Sequence, residues 1–101
     1  MPADFGAFHE EAGAEYDAAF DWYLERSPQA ALNFDAEVNR ALAQIIQSPR
    51  RWASGSHSTR RFLLKQFPFI LVYREQRTGI QIVAVAHTSR KPGYWRQRLN
   101  P

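Results

Sequence analysis

A chain of 101 residues is sized for one domain with a core of a couple of packed layers, and we read residues 1–101 as that domain. A hydrophobic content of 45%, with three Trp, four Tyr and seven Phe, excludes wholesale disorder, and the lack of cysteine excludes a disulfide framework, a thiolate metal site and a thiol nucleophile. The net charge of +3 conceals a division, because residues 1–58 carry nine acids and four bases while residues 59–101 carry nine bases and one acid.

The first half is therefore at −5 and the second at +8. A basic half of that strength points to a polyanion or an acidic protein as partner, set against the plainer reading of solvated Lys and Arg on a sheet. No basic segment followed by an apolar stretch opens the chain, and no run approaches the roughly 18 apolar residues of a membrane span. The expectation is a soluble cytoplasmic protein without membrane attachment.

Taken in chain order, Phe5–Phe8 permits a short strand, weakened by Gly6 and Ala7. From Glu10 to Arg26 the residues Ala12, Tyr16, Ala19, Phe20, Tyr23 and Leu24 recur at helical spacing, with Glu10 and Glu11 at the positive end of the helix. Ser27-Pro28 then opens a second helix, since a Ser hydroxyl accepts from an orphan N–H and Pro lacks one. Its stripe of Ala31, Phe34, Val38, Ala41, Leu42, Ile45 and Ile46 stays in phase up to Pro49, which predicts a helix over 28–48 and a hairpin of two helices. Ser48 to Ser58 reads as the connector.

The period then changes. Arg60–Lys65, Phe69–Arg74 and Gly79–His87 are rich in Phe, Leu, Ile and Val and are separated by turn residues, which predicts three strands in a meander. The economical architecture is α+β, a helix hairpin on one face of a three- to four-stranded antiparallel sheet. On the last strand, strict alternation puts Ile80, Ile82, Ala84 and Ala86 on the core face and Gln81, Val83, Val85 and His87 on the other. If that other face is open, Arg61, Lys65 and Arg74 join Gln81 and His87 there.

Several segments together resemble a family: Phe8-His9-Glu10-Glu11-Ala12, Trp22-Tyr23 before Ser27-Pro28, and Phe34 followed by Glu37-Val38. They continue with Arg60-Arg61-Phe62-Leu63-Leu64, Phe67-Pro68-Phe69, Val72-Tyr73-Arg74, and Val83-Ala84-Val85-Ala86-His87 running into Arg90-Lys91-Pro92-Gly93-Tyr94-Trp95-Arg96. In order and spacing, over nearly the whole chain, this is similar to plasmid-stabilisation toxins of the RelE/ParE superfamily. The resemblance implies the toxin of a bacterial type II toxin–antitoxin system, a growth inhibitor forming a hetero-oligomer with a cognate antitoxin. It leaves two targets open, DNA gyrase and the mRNA on the ribosome.

Ribonuclease chemistry makes the sharper demands: a group to take the 2′-OH proton, cations for the phosphorane and an acid for the leaving oxygen, with no metal or other cofactor. The candidates are His87, Arg90 and Tyr94, with Arg60, Arg61, Lys65, Arg74 and Arg96 binding nucleic acid or another target. Arg90 and Tyr94 match the endonuclease branch, and Arg61 and Lys65 roughly do, but a basic residue expected early in the middle strand is Ile70 here. That departure favours the gyrase-binding reading. Arg90, Tyr94 and Trp95 are the candidates for antitoxin contact, in competition with packing of Tyr94 and Trp95 on the sheet. His9 and His57 have no second ligand at a metal spacing, and Trp22, Tyr23 and Phe34 read as core or helix-interface residues.

Overall fold

Ser27 closes one helix and opens the next. In the computed structural model, which describes residues 5–100, helix α1 spans Glu10–Arg26 and helix α2 spans Pro28–Gln47. The Ser27 N–H donates to the Tyr23 carbonyl at 2.8 Å, ending α1, and its hydroxyl accepts from the Ala30 N–H at 3.2 Å, starting α2. At the other end of α1, His9 is the N-cap, its Nδ1 accepting from the Glu11 N–H at 3.1 Å. The predicted hairpin is present because each orphan terminus finds a side-chain or backbone partner within a single-residue joint.

The strands are β1 (Phe5–Phe8), β2 (Ala53–Ser54), β3 (Arg60–Leu63), β4 (Phe69–Gln76) and β5 (Gly79–His87), in the order β1-β5-β4-β3-β2. Strands β2 to β5 run antiparallel, and the helix hairpin packs on one face of the resulting sheet. Two features refine the expected sheet. The connector after α2 contains the two-residue strand β2, and β1 pairs with β5 in parallel, which the helix crossover between them allows. Strand β3 stops at Leu63, short of Lys65: the Leu64 N–H still reaches Phe69 O at 3.0 Å, but the Lys65 and Gln66 N–H groups turn to the carboxylate of buried Glu37 on α2.

The expected alternation along β5 is broken. Val72 pairs with Ala84 and Tyr73 with Ile82, so Val83 is an extra residue in a bulge. Before the bulge Ile80 and Ile82 face the helices; after it Val85 does, while Ala84 and Ala86 face the other way with Val83. The set Ile80, Ile82, Ala84 and Ala86 is thus divided between two cores, because one inserted residue flips every later side chain.

The larger core lies under the helices, with Ala12, Phe34, Val38, Ala41 and Ile45 against Leu71, Tyr73, Ile82 and Val85, all 2% exposed or less. Tyr73 donates its hydroxyl to Pro49 O, and burial pushes this phenol up to about 12. Tyr23 and Phe34 belong to this core, whereas Trp22 is 52% exposed and Leu24 44%, because the apolar stripe of α1 is too narrow to bring both under cover. No helix among the described residues is long and apolar enough to cross a membrane, and they hold no cluster of His, Asp and Glu able to bind a metal ion.

Candidate functional site

Beyond β5 the chain crosses the sheet face opposite the helices. Gly93, at φ +77°, supports the turn, Trp95 lies down on Val72, Val83, Ala84 and Ala86, and a short 3-10 helix follows at Arg96–Leu99. Arg74, on the same face, donates to Gln81 Oε1 at 2.8 Å and to the Leu99 carbonyl at 3.3 Å, tying the segment to β4. This face is therefore partly roofed, because the bulge supplied it with apolar residues that need cover.

The roof is locked by one carboxylate. Glu15 of α1 receives Arg98 in a bidentate pair, Nη1 to Oε1 and Nη2 to Oε2, both at 2.9 Å. Oε1 also accepts the Val85 N–H at 2.9 Å, and Oε2 accepts the Tyr94 hydroxyl at 2.6 Å. Arg98 Nη1 reaches the Val83 carbonyl at 3.1 Å, while its Nε, buried, has no hydrogen-bond partner among the described residues and lies 3.8 Å from Glu11. Burial alone would raise the Glu15 carboxyl, but the bonds from Arg98, Tyr94 and Val85 outweigh it and hold the group below its ordinary value. The Tyr94 phenol is driven above its ordinary range by burial and by donation to Glu15. On the ring's face sits the Arg90 guanidinium, 3.8 Å from the centroid.

Two concavities meet at His87 and Arg90. The first is a cleft of about 190 Å³ between β3–β4 and the roof; Arg61, Arg90, Lys91 and Arg96 stand around a floor of Ile70, Val72, Ala86 and Trp95, and no acid among the described residues lines it. Among the described residues, none of those four cations is ion-paired. The second is an apolar groove of about 450 Å³ between α1 and the outer edge of β5, lined by Ala18, Ala19, Trp22, Phe69 and Val85 with Glu15 at its base. Because Phe69 spends its N–H on Phe67 and its carbonyl on Leu64, its partner His87 turns its own backbone groups outward, as does Val85 two residues earlier. The groove thus runs along a length of strand that no other strand pairs among the described residues, the Val85 N–H going to Glu15 and the His87 carbonyl accepting from the Arg90 N–H.

The sequence matches the profile described as "ParE toxin of type II toxin-antitoxin system, parDE" over residues 7–92. The chain belongs to the ParE toxin family. Among solved structures it is similar to a chain of the "Chromosomal ParDE TA system from P. aeruginosa", at 21% identity and a TM-score of 0.70, over 85% of this chain and 98% of that one. No curated protein matched.

The ParE fold brings some of the expected site residues together and separates others. Arg61, Arg90 and Arg96 share the cleft with Lys91, which sequence reasoning passed over. Arg60 points instead to the Trp52 carbonyl at 2.8 Å and Ser54 Oγ at 3.2 Å, Lys65 lies past the end of β3, and Arg74 is engaged with Gln81 and Leu99. The expected open-face group of Arg61, Lys65, Arg74, Gln81 and His87 is accordingly reduced to Arg61, Arg74 and Gln81: the bulge rotates His87 onto the helix side, edge-on to Phe69 at 5.2 Å. His87 Nδ1 accepts the Ser89 N–H at 3.0 Å and contacts Ser89 Oγ at 2.7 Å. Of the residues expected to meet an antitoxin, Arg90 lines both concavities, Tyr94 is half-buried, and Trp95, 8% exposed, is packing for the second core.

Glu15, Arg98 and Glu37 were missed. The only signal for Glu15 and Glu37 was an acid beside the apolar stripe of each helix, and Arg98 looked like any base of a basic terminus. One glycine of the ParE turn is open to test. A Cβ on Gly93 would lie 2.7 Å from Arg96 Nε, in a backbone conformation that disfavours side chains by about 1–2 kcal/mol. Gly93→Ala is expected to lower stability by about that amount in urea denaturation and to turn the Arg96 guanidinium out of the cleft. An unchanged midpoint would show that the turn tolerates another backbone conformation.

Proposed function

We propose that this ParE toxin arrests growth by binding DNA gyrase in the cytoplasm without chemistry of its own, and that a cognate antitoxin neutralises it by occupying the groove beside β5. The observation that carries the first part is that both proton-handling candidates are already engaged. Tyr94 gives its hydroxyl proton to Glu15, and His87 uses Nδ1 to accept from Ser89. A neutral imidazole that accepts at Nδ1 carries its proton on Nε2, so the nitrogen left open is a donor, which disfavours His87 as the group that takes the 2′-OH proton. Ile70 on the cleft floor adds an apolar residue where the endonuclease pattern has a cation. What the cleft offers is positive charge free of ion pairs among the described residues, from Arg61 on β3 and from Arg90, Lys91 and Arg96 beyond β5, which suits docking to an acidic surface.

The groove supports the antitoxin reading by its chemistry. An outward strand edge offers backbone partners, Trp22 offers an exposed aromatic anchor, and Arg90 at the rim favours an acidic segment. The ribonuclease reading keeps one observation in its favour, namely that His87 and Arg90 stand exposed at the mouth of the cleft.

The purified chain should inhibit gyrase supercoiling and leave mRNA intact on ribosomes. His87→Ala should retain that inhibition, whereas the double change Arg61→Glu, Arg96→Glu should reduce it at least tenfold. Cleavage of ribosome-bound mRNA that disappears in His87→Ala would replace this proposal with the catalytic one. Co-expression with the product of an adjacent small gene should restore growth and give a stable complex.

A further inference from the structure

The groove and the cleft meet at His87 and Arg90, and one carboxylate of the groove is bonded to the support of a cleft wall. Glu15 forms part of the groove base and holds the Val85 N–H on the outward edge of β5, where a neighbouring strand would pair. The same carboxylate holds Tyr94 and Arg98, and Tyr94 is the surface on which Arg90, a wall of the cleft, is stacked. Glu15 and Arg98 occupy the edge as a strand would, one accepting from Val85 and the other donating to Val83. Among the described residues no strand does so there: the His9 N–H reaches the Ile82 carbonyl at 2.8 Å, and the β1–β5 ladder ends with the pair Phe8 and Ile82.

We propose that Glu15 couples the two cavities: a strand of an acidic partner that adds to the outer edge of β5 takes the Val85 amide from Glu15, and the displaced carboxylate releases Tyr94 and Arg98, so that filling the groove takes apart the Arg90 wall of the cleft. This rests on the reading of the groove as the antitoxin's site and gives it a mechanism, loss of the target surface by rearrangement rather than by cover. The chemistry favours an all-or-none release. One carboxylate accepts all four bonds, so it cannot leave the edge and keep its other partners in place. Arg98, with its guanidinium already short of one partner at Nε, cannot stay buried once Glu15 is gone, and the segment from Tyr94 to Leu99 must move with it. A fixed role for Glu15 as a cover for a strand edge is the alternative.

Trp95 lies in the roof and reports on it, being 8% exposed, once Trp22 and Trp52 are replaced by Phe. In that full-length background, Glu15→Gln should raise acrylamide quenching of Trp95 at least threefold and speed exchange of the Val85 amide at least tenfold, with the Leu71 and Val38 amides still protected. Tyr94→Phe should raise quenching while leaving the Val85 amide slow, and Glu11→Gln should change neither. Fast exchange at Val85 with Trp95 still shielded would leave Glu15 an edge cover and overturn the coupling. Adding the co-expressed antitoxin to a chain with Trp22 restored, in which the Trp95 indole N–H is followed by its own exchange rate, should expose Trp95 as Glu15→Gln does. An antitoxin that binds and leaves Trp95 shielded overturns the coupling while the antitoxin reading stands. If no antitoxin binds even the chain that keeps Trp22, the reading of the groove fails, and a strand partner for Glu15 fails with it, whatever the variants show.

Discussion

Arg98→Ala is expected to cost roughly 3–5 kcal/mol, because it strips the partner from a carboxylate that the fold has taken largely out of water. The side chains of Arg98 and Glu15 are 6% and 17% exposed, so solvent screens the pair little. Against a total stability of about 5–15 kcal/mol for a domain, that loss moves the urea midpoint far enough to leave part of the population unfolded at growth temperature. Replacing both partners, Glu15→Gln with Arg98→Met, should cost much less than the single change, since no charge is then stranded. Equal losses for the single and double variants would mean that packing of the Arg98 stem, not its charge, holds the roof.

The same pair sets a pH dependence. The folded Glu15 carboxyl titrates below its ordinary value of 4.5, so its contribution is fully present above the unfolded pKa and fades as pH falls through the lower folded one. Acid denaturation of the parent should therefore steepen below about pH 4.5, and Glu15→Gln should flatten that limb.

Phe34→Ala carries the other large expected effect, about 3–5 kcal/mol, as for an aromatic ring removed from a closed core. Phe34 is fully buried, and its ring sits between Tyr16, Tyr23, Phe67 and Phe69 at centroid distances of 5.3 to 5.6 Å. It touches the turn between β3 and β4 as well as α1, so neither side can close the void alone. Phe34→Leu should recover more than half of the loss in thermal denaturation. A loss under 1 kcal/mol for Phe34→Ala would show that the helix pair can slide to fill the space.

The helix hairpin and the meander were legible in the residues, because both depend on local chemistry. Ser27-Pro28 caps and starts a helix wherever it stands, the stripe from Ala31 to Ile46 keeps helical phase, and the switch to Phe, Leu, Ile and Val after residue 59 marks strands. The ordered ending from Ala86-His87 to Tyr94-Trp95 also pointed to the family that the profile match over residues 7–92 shows.

What the sequence could not carry was anything set by register or by distant pairing. Alternation along Ile80–His87 looks regular on paper, and only the pairing of Tyr73 with Ile82 and of Val72 with Ala84 makes Val83 the extra residue that turns His87 toward the helices. That one slip produced a second apolar face, drew Trp95 onto it, and so gathered Arg61, Arg90, Lys91 and Arg96 into a cleft from places 35 positions apart in the chain. Glu15 and Arg98, 83 positions apart, carry no mark of one another, since a charged pair is chosen by the space that excludes water around it. Local propensity thus determined the elements and their order by itself, while the tertiary structure decided which charges share a surface and which hydroxyls are free to act.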